Sequence, residues 1–292
     1  MGEYISSATA VPYYFYHRLT DSQKYNVDAT AVGIGATTLN SATMENAIID
    51  LDGTVYRSQT AIPGAREGIE SLRDGGVDIV FVTNSSTKTR ETCRDRLASL
   101  GIEAAVDDIL TSASVTAAYV TQEYPTASVL TIGSPALDHE FSEADATLTD
   151  DPTEAEVLVV GKDTSFDFET LTRGLRAIES GARFVGTNED RKVPTDSGII
   201  PGCGALIAAV GHAANCDPDQ ICGKPHDPMI EVSLNKLAAD PADCMVIGDN
   251  PETDIEMGQR AGLTTVLVLT GLIDPEDPLL AEEPADHVID SL

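Results

Sequence analysis

The sequence predicts an α/β fold built on a parallel sheet, and three observations carry that expectation. From residue 47 onward, short apolar runs alternate with amphipathic stretches of helical period. Glycines stand where the helical stretches stop, at Gly75-Gly76, Gly101 and Gly181. Four segments gather acids, hydroxyls, amides or a lysine just past an apolar run or at a helix start, as at the ligand-binding end of an open α/β sheet.

Taken in order, Ala47 to Leu51 reads as a buried strand, apolar but for Asp50. Gly64 to Asp74 reads as a helix, Val77 to Val82 as the next strand, and Thr87 to Leu100 as the helix that ends at Gly101. The short strands Val129 to Ile132, Val157 to Val160 and Arg183 to Val185 then alternate with helices, among them Phe168 to Ser180. Cys244 to Ile247 and Thr265 to Leu269 are late core strands, separated by a helix over Thr253 to Ala261. There is no internal repeat and no low-complexity tract.

Residues 1 to 43 differ from the rest. They hold six of the fourteen aromatics and show neither helical nor strand period. Arg18 and Lys24 against Glu3, Asp21 and Asp28 give −1, leaving −29 for the remainder of a chain of charge −30. This segment is read as lying outside the fold, either as a disordered tail or as the product of a mis-called start upstream of Met44. The second reading is favoured.

The acidic balance repels nucleic acid and anionic membranes, so neither is expected as a partner. With no membrane span or secretory leader visible, the expected location is the cytoplasm. Scattered acids suit a halophilic protein, because in molar salt the Debye length falls to about 3 Å and self-repulsion is screened. A halophile should melt at a distinctly higher temperature in molar salt than in dilute buffer; equal melting temperatures would contradict this. Five cysteines without a C-x-x-C pair read as buried reduced thiols.

The chemistry begins at Asp50-Leu51-Asp52-Gly53-Thr54. Two carboxylates two residues apart at a strand end lie on one side of the chain. Such a pair repels strongly unless a cation intervenes or one acid is protonated. Taken alone, the segment is also compatible with a structural turn or a calcium loop. The second strand runs into Thr83-Asn84-Ser85-Ser86, where the Thr83 hydroxyl and the amides around Asn84 suit phosphate oxygens, although such runs also serve as helix caps. Lys224, in Gly223-Lys224-Pro225 at a helix start, is one of only six lysines. It is a candidate for neutralising a phosphoryl group, or a surface lysine. Asp249 and Asp254 follow a late strand, and such hard oxygen ligands suit Mg2+.

In order and spacing these four segments resemble the motifs of the haloacid dehalogenase superfamily, over about residues 45 to 290. Gly161 to Asp167, Gly186 to Asp190 and Pro201 to Ala205 look like signatures of its NagD-like, 4-nitrophenylphosphatase-like branch. Asn250 stands where arginine is more usual, and Lys162 where an apolar residue is common. The resemblance implies a doubly wound core over 44–114 and 221–292, with an α/β cap domain over 115–220 that closes over it. It implies an Mg2+-dependent phosphatase acting on a small phosphorylated metabolite, such as a sugar phosphate. Asp50 would be the nucleophile and Asp52 the general acid and base. Thr83, Asn84 and Lys224 would bind the phosphoryl group. Asp50, the Asp52 backbone carbonyl, Asp249 and Asp254 would hold or support the metal. A homo-oligomer formed through the cap is compatible with this picture.

The rivals are a dehalogenase on the same fold and a non-catalytic effector-binding or regulatory protein. A dehalogenase needs no acid at the position of Asp52, and an idle protein would have lost Asp50, Asp52, Lys224 or Asp249; all four are present. There is no G-x-S-x-G elbow, and the five histidines are scattered without metal spacing.

Overall fold

The computed structural model describes residues 44–195, 197–271 and 285–292, so the reading of residues 1–43 lies outside the described residues. Strand β1 (Asn46–Asp50) leads into a small hairpin, β2 (Tyr56–Arg57) and β3 (Thr60–Ala61). Helix α1 (Ala65–Asp74), β4 (Asp78–Thr83), α2 (Arg90–Ser99), β5 (Ile109–Thr111) and α3 (Ser112–Glu123) follow. A second set comprises β6 (Ser128–Ile132), α4 (Pro135–Glu143), β7 (Thr147–Leu148), β8 (Val157–Val160), α5 (Phe168–Glu179) and β9 (Arg183–Gly186). It continues with the hairpin β10 (Lys192–Thr195) and β11 (Gly198–Pro201), then α6 (Cys203–Ala214) and β12 (Gln220–Ile221). The chain then returns through α7 (Asp227–Leu237), β13 (Cys244–Gly248), α8 (Glu256–Ala261), β14 (Thr264–Val268) and β15 (His287–Ile289).

Two parallel sheets result. The first has the order β15-β14-β13-β1-β4-β5 and the second β12-β9-β8-β6-β7. In the first, successive residues face opposite layers. Ile48, Val80, Val82 and Val246 pack with α3, α7 and α8 through Val115, Val120, Met229 and Met257. Ala47, Ile49, Phe81 and Ile247 pack with α1 and α2 through Ile69, Leu72, Cys93 and Leu97. Both faces are therefore covered, as a parallel sheet requires, and the doubly wound α/β architecture is the one expected. Both faces of β1 are apolar, so its sequence pattern cannot set its register. The ladders do so, placing Ile48 opposite Val80 on one side and Val246 on the other. The chain winds from β1 to opposite sides, toward β4 and toward β13, and such a switch point opens a crevice at the strands' carboxyl ends.

The apolar cluster around Ile48 continues without a break into Val157, Val159 and Val185 of the second sheet, by way of α3 and α4. The other face of that sheet, with Leu158, Val160 and Phe184, packs on α5 and α6 through Ala177, Ile207 and Val210. All strands of the second sheet lie between Ser128 and Ile221.

Two helix starts differ from expectation, each for a local reason. Helix α2 begins at Arg90 rather than Thr87 because Thr89 caps it, accepting the Thr92 amide at 3.2 Å. The residues before it are held in side-chain turns, the Ser85 amide donating to Thr83 Oγ1 at 3.1 Å. The expected helix over Thr253 to Ala261 opens instead as a wide π turn over Pro251–Ile255 before α8. Of the five cysteines, Cys216 is exposed rather than buried; the other four are buried, and all five are free thiols. Among the described residues, no helix is long and apolar enough to cross a membrane.

Candidate active site

The site is assembled at the carboxyl ends of β1, β4 and β13. Asp50 is the last residue of β1 and lies opposite Val82, so the next residue of β4, Thr83, stands beside it. Gly248 ends β13, and Asp249 follows. Gly53 turns the chain out of β1 with φ +107, a conformation that glycine adopts without strain. A Cβ there would lie 2.4 Å from Asp249 Oδ2, so the same glycine makes room for the acid.

Lys224 is the centre of the charge arrangement. Its ammonium donates to Asp50 Oδ1 at 2.5 Å and to Asp254 Oδ1 at 2.6 Å, and all three side chains are buried. The π turn brings Asp254 inward, where its second oxygen accepts the Asn250 amide at 3.1 Å. Gly248 permits this approach, since a Cβ on it would sit 2.2 Å from the Asp254 carboxyl carbon. An ammonium has three donors, so one remains for a ligand.

Asp50, Asp249 and Asp254 each offer an oxygen within 4.8 Å of the others. Asp50 Oδ2 is buried and has no hydrogen-bond partner. Three carboxylates against one ammonium leave the cluster at −2 when all are ionised. Burial drives the Asp50 carboxyl well above the usual range, with Lys224 opposing it and Asp254 and Asp249 reinforcing it. Burial and then the Asp254 charge push Asp249 up to about 7. Burial works against the Lys224 charge, but Asp254 and Asp50 outweigh it and raise its proton affinity. An orphaned buried carboxylate oxygen, hard oxygen donors and a deficit of two positive charges fit a divalent cation such as Mg2+.

Asp52 is placed differently. Its carboxylate lies outside this trio and is half-exposed, accepting from Lys88 Nζ at 3.0 and 3.1 Å and from the Thr83 hydroxyl at 3.4 Å. The Lys88 ammonium also lies 5.5 Å from the centre of the Tyr56 ring. Asn84 has its side chain committed to Lys224. It accepts the Lys224 amide at 2.8 Å and donates to the Lys224 carbonyl and to Asp190 Oδ1, each at 3.1 Å. Its own carbonyl accepts from Asn188 Nδ2 and from the Ser112 hydroxyl, each at 2.8 Å. Asn84 thus holds the lysine's backbone, and Asn188 and Asp190 lock Asn84.

Of the seven predicted site residues, the five other than Asp52 and Asn84 therefore meet around one buried ammonium or beside it at the β4 end, while those two occupy the flanks. Sequence reasoning missed Lys88. Its signal was its scarcity, a lysine in the loop after the second strand of a chain that has only six.

Comparison with known proteins bears on what this arrangement does. The profile of the haloacid dehalogenase-like hydrolases matches residues 47–147, and one described as HAD-hydrolase-like matches residues 221–292. The sugar-phosphatase AraL of Bacillus subtilis is 36% identical over 245 residues, covering 84% of this chain and 89% of that protein. The 5'-nucleotidase YutF of the same organism is 36% identical over 250 residues, 86% of this chain and 96% of that one. Among solved structures, the p-nitrophenyl phosphatase from Archaeoglobus fulgidus superposes with a TM-score of 0.82 at 37% identity, covering 85% of this chain and 97% of that one. NagD from E. coli gives 0.77 at 30% identity, with coverage of 85% and 97%.

Proposed function

The chain belongs to the haloacid dehalogenase-like hydrolases, and on that premise we propose that it hydrolyses the phosphate monoester of a small phosphorylated metabolite, with Asp50 as covalent nucleophile. The observation that carries this reading is Asp50 itself: one oxygen is held by Lys224, the other is buried and unpartnered, and the carboxyl group lies within 4.8 Å of Asp249 and Asp254.

Asp50 Oδ2 attacks phosphorus, and the bond to the ester oxygen breaks with its electron pair going to the alcohol. Asp52, at the outer flank beside Thr83 and Lys88, delivers a proton to that oxygen. It then takes a proton from the water that attacks the phosphorus of the aspartyl phosphate, releasing phosphate and restoring Asp50. General acid and base assistance of this kind contributes about 10²–10⁴-fold. Lys224 orients Asp50 and spends its remaining donor on a phosphoryl oxygen, with Asn84 fixing the lysine's backbone. Asp50, Asp249 and Asp254 would hold Mg2+, whose charge offsets the repulsion between an anionic nucleophile and an anionic ester.

The second sheet and its helices act as the cap, which excludes water and shapes the space for the alcohol. The names of the relatives, a sugar phosphatase, a nucleotidase and a p-nitrophenyl phosphatase, support a small phosphate ester as substrate. Free thiols support a reducing, cytoplasmic location. Asp52 argues against dehalogenation, which has no alcohol to protonate. The test is hydrolysis of p-nitrophenyl phosphate and a panel of phosphorylated metabolites with Mg2+ and with chelator. Turnover that needs the metal is expected; folded protein with no turnover of any ester would favour a binding protein.

Metal binding should also be linked to pH. In the metal-free protein burial pushes Asp249 up to about 7, so its cost to the fold grows as pH rises from the usual carboxylate range to about 7 and is constant above that. A divalent cation needs the ionised form, so its stabilisation grows as pH rises through 7. Saturating Mg2+ should raise the melting temperature by about 5–10 °C at pH 8, the effect of ligand near a hundredfold its Kd on a chain of this size. At pH 6 the shift should be much smaller. An identical shift at both pH values would contradict the linkage.

A further inference from the structure

Three of the chain's six lysines, Lys88, Lys162 and Lys224, come together at the ends of the two sheets, although the chain as a whole carries −30. Two of them are accounted for. Lys224 holds Asp50 and Asp254, and Lys88 holds Asp52. Lys162 is not. It follows β8, and its amide donates to Ser86 Oγ at 2.9 Å, which pins it two residues from Lys88 on the loop after β4. The same loop is gripped a second time from the cap, where the Ser134 hydroxyl donates to the Ser86 carbonyl at 3.0 Å.

The Lys162 side chain is half-buried, and among the described residues no carboxylate lies within ion-pair distance of its ammonium. Burial lowers its proton affinity; Cys203 and Asp190 oppose this, and the positive charge of Lys88 adds to it. Asp190 is the nearby carboxylate, but its bond goes to Asn84. A part-buried ammonium with no acid of its own, next to a second ammonium, is unfavourable unless an anion joins it. The loop that fixes its backbone through Ser86 also carries Lys88, the partner of Asp52, which ties Lys162 to the flank of the site where the alcohol leaves in the proposed reaction.

We propose that Lys162 determines substrate choice by binding a second anionic group, a carboxylate or a second phosphate, carried on the alcohol part of the phosphate ester. This rests on the phosphatase reading above and narrows its substrate class. The phosphoryl end is met by Asp50 and Lys224, the ester oxygen by Asp52, and the far end of an anionic alcohol by Lys162. An ester of a neutral alcohol has nothing to offer that ammonium.

The experiment compares the wild type with Lys162→Met and Lys162→Arg on four esters. p-Nitrophenyl phosphate and glucose 6-phosphate carry no second anion, whereas 2-phosphoglycolate carries a carboxylate and fructose 1,6-bisphosphate a second phosphate. In Lys162→Met, KM for the esters with a second anion should rise roughly ten- to hundredfold, the range expected for losing one charge-assisted hydrogen bond. Their kcat and both constants for the neutral pair should hold, and Lys162→Arg should recover most of the loss. A rise confined to 2-phosphoglycolate would identify the carboxylate as the group read, and one confined to the bisphosphate would identify the phosphate. Unchanged KM for both, or an equal change across all four esters, would overturn the inference while leaving the phosphatase intact. Absence of turnover with all four in the folded wild type would overturn both.

Discussion

Asp50→Asn should leave a folded protein and remove turnover by about 10⁴-fold or more, the scale on which losing a covalent nucleophile acts. The substitution keeps the shape of the side chain and its place at the end of β1, so the ladders to β4 and β13 are untouched. It also removes one of three clustered carboxylates, while Lys224 keeps Asp254 as its partner. The metal-free variant should therefore melt no lower than the wild type, because burial already penalises the Asp50 charge. Melting curves in chelator and steady-state rates with p-nitrophenyl phosphate check both halves. Near-normal turnover would show that Asp50 is not the nucleophile.

Lys224→Met should have the largest effect on stability. The substitution leaves Asp50 and Asp254, both buried, facing each other and Asp249 without the ammonium that now separates them. Removing one partner of a buried pair costs about 3–5 kcal/mol, which for a chain of this size lowers the melting temperature by about 6–20 °C. The sign with pH is defined. In the wild type the lysine's proton affinity is raised by its two partners, so its contribution is fully present throughout the range below its unfolded pKa. In the variant the acids can relieve their repulsion only by taking up protons, so the deficit should be greater at pH 8 than at pH 5. Equal stability of variant and wild type in chelator at pH 8 would contradict the central place given to Lys224.

Much of this site was legible because its parts are local. Ala47 to Leu51 could only be a short buried strand, and the acids and glycine after it announced where the chain leaves the sheet. The same reasoning found Thr83 and Asp249, each at or just past the end of a buried strand. What stayed hidden depends on contacts between distant segments. The pairing of Lys88 with Asp52 and the grip of Asn84 on Lys224 join separate loops, and no periodicity encodes them. Asp254 was legible as an acid suited to the metal, but its bond to Lys224 was not. Only the π turn, with Gly248 leaving space, carries it inward to the lysine. The short strands β7 and β12 were equally invisible, since two residues hold no alternation to read.

The most direct test of the account is to stop the reaction in acid during turnover and map the phosphoryl group. With p-nitrophenyl phosphate, whose nitrophenolate leaves without protonation, Asp52→Asn should slow release of the enzyme from its aspartyl phosphate, since it removes the base that activates water, and so allow the intermediate to accumulate. Digestion and mass spectrometry should then find the phosphoryl group on the peptide containing Asp50, and none should appear in Asp50→Asn. A phosphoryl group on any other residue, or substrate consumed in a single turnover with no phosphorylated peptide at any time, would contradict Asp50 as the residue on which this chemistry turns.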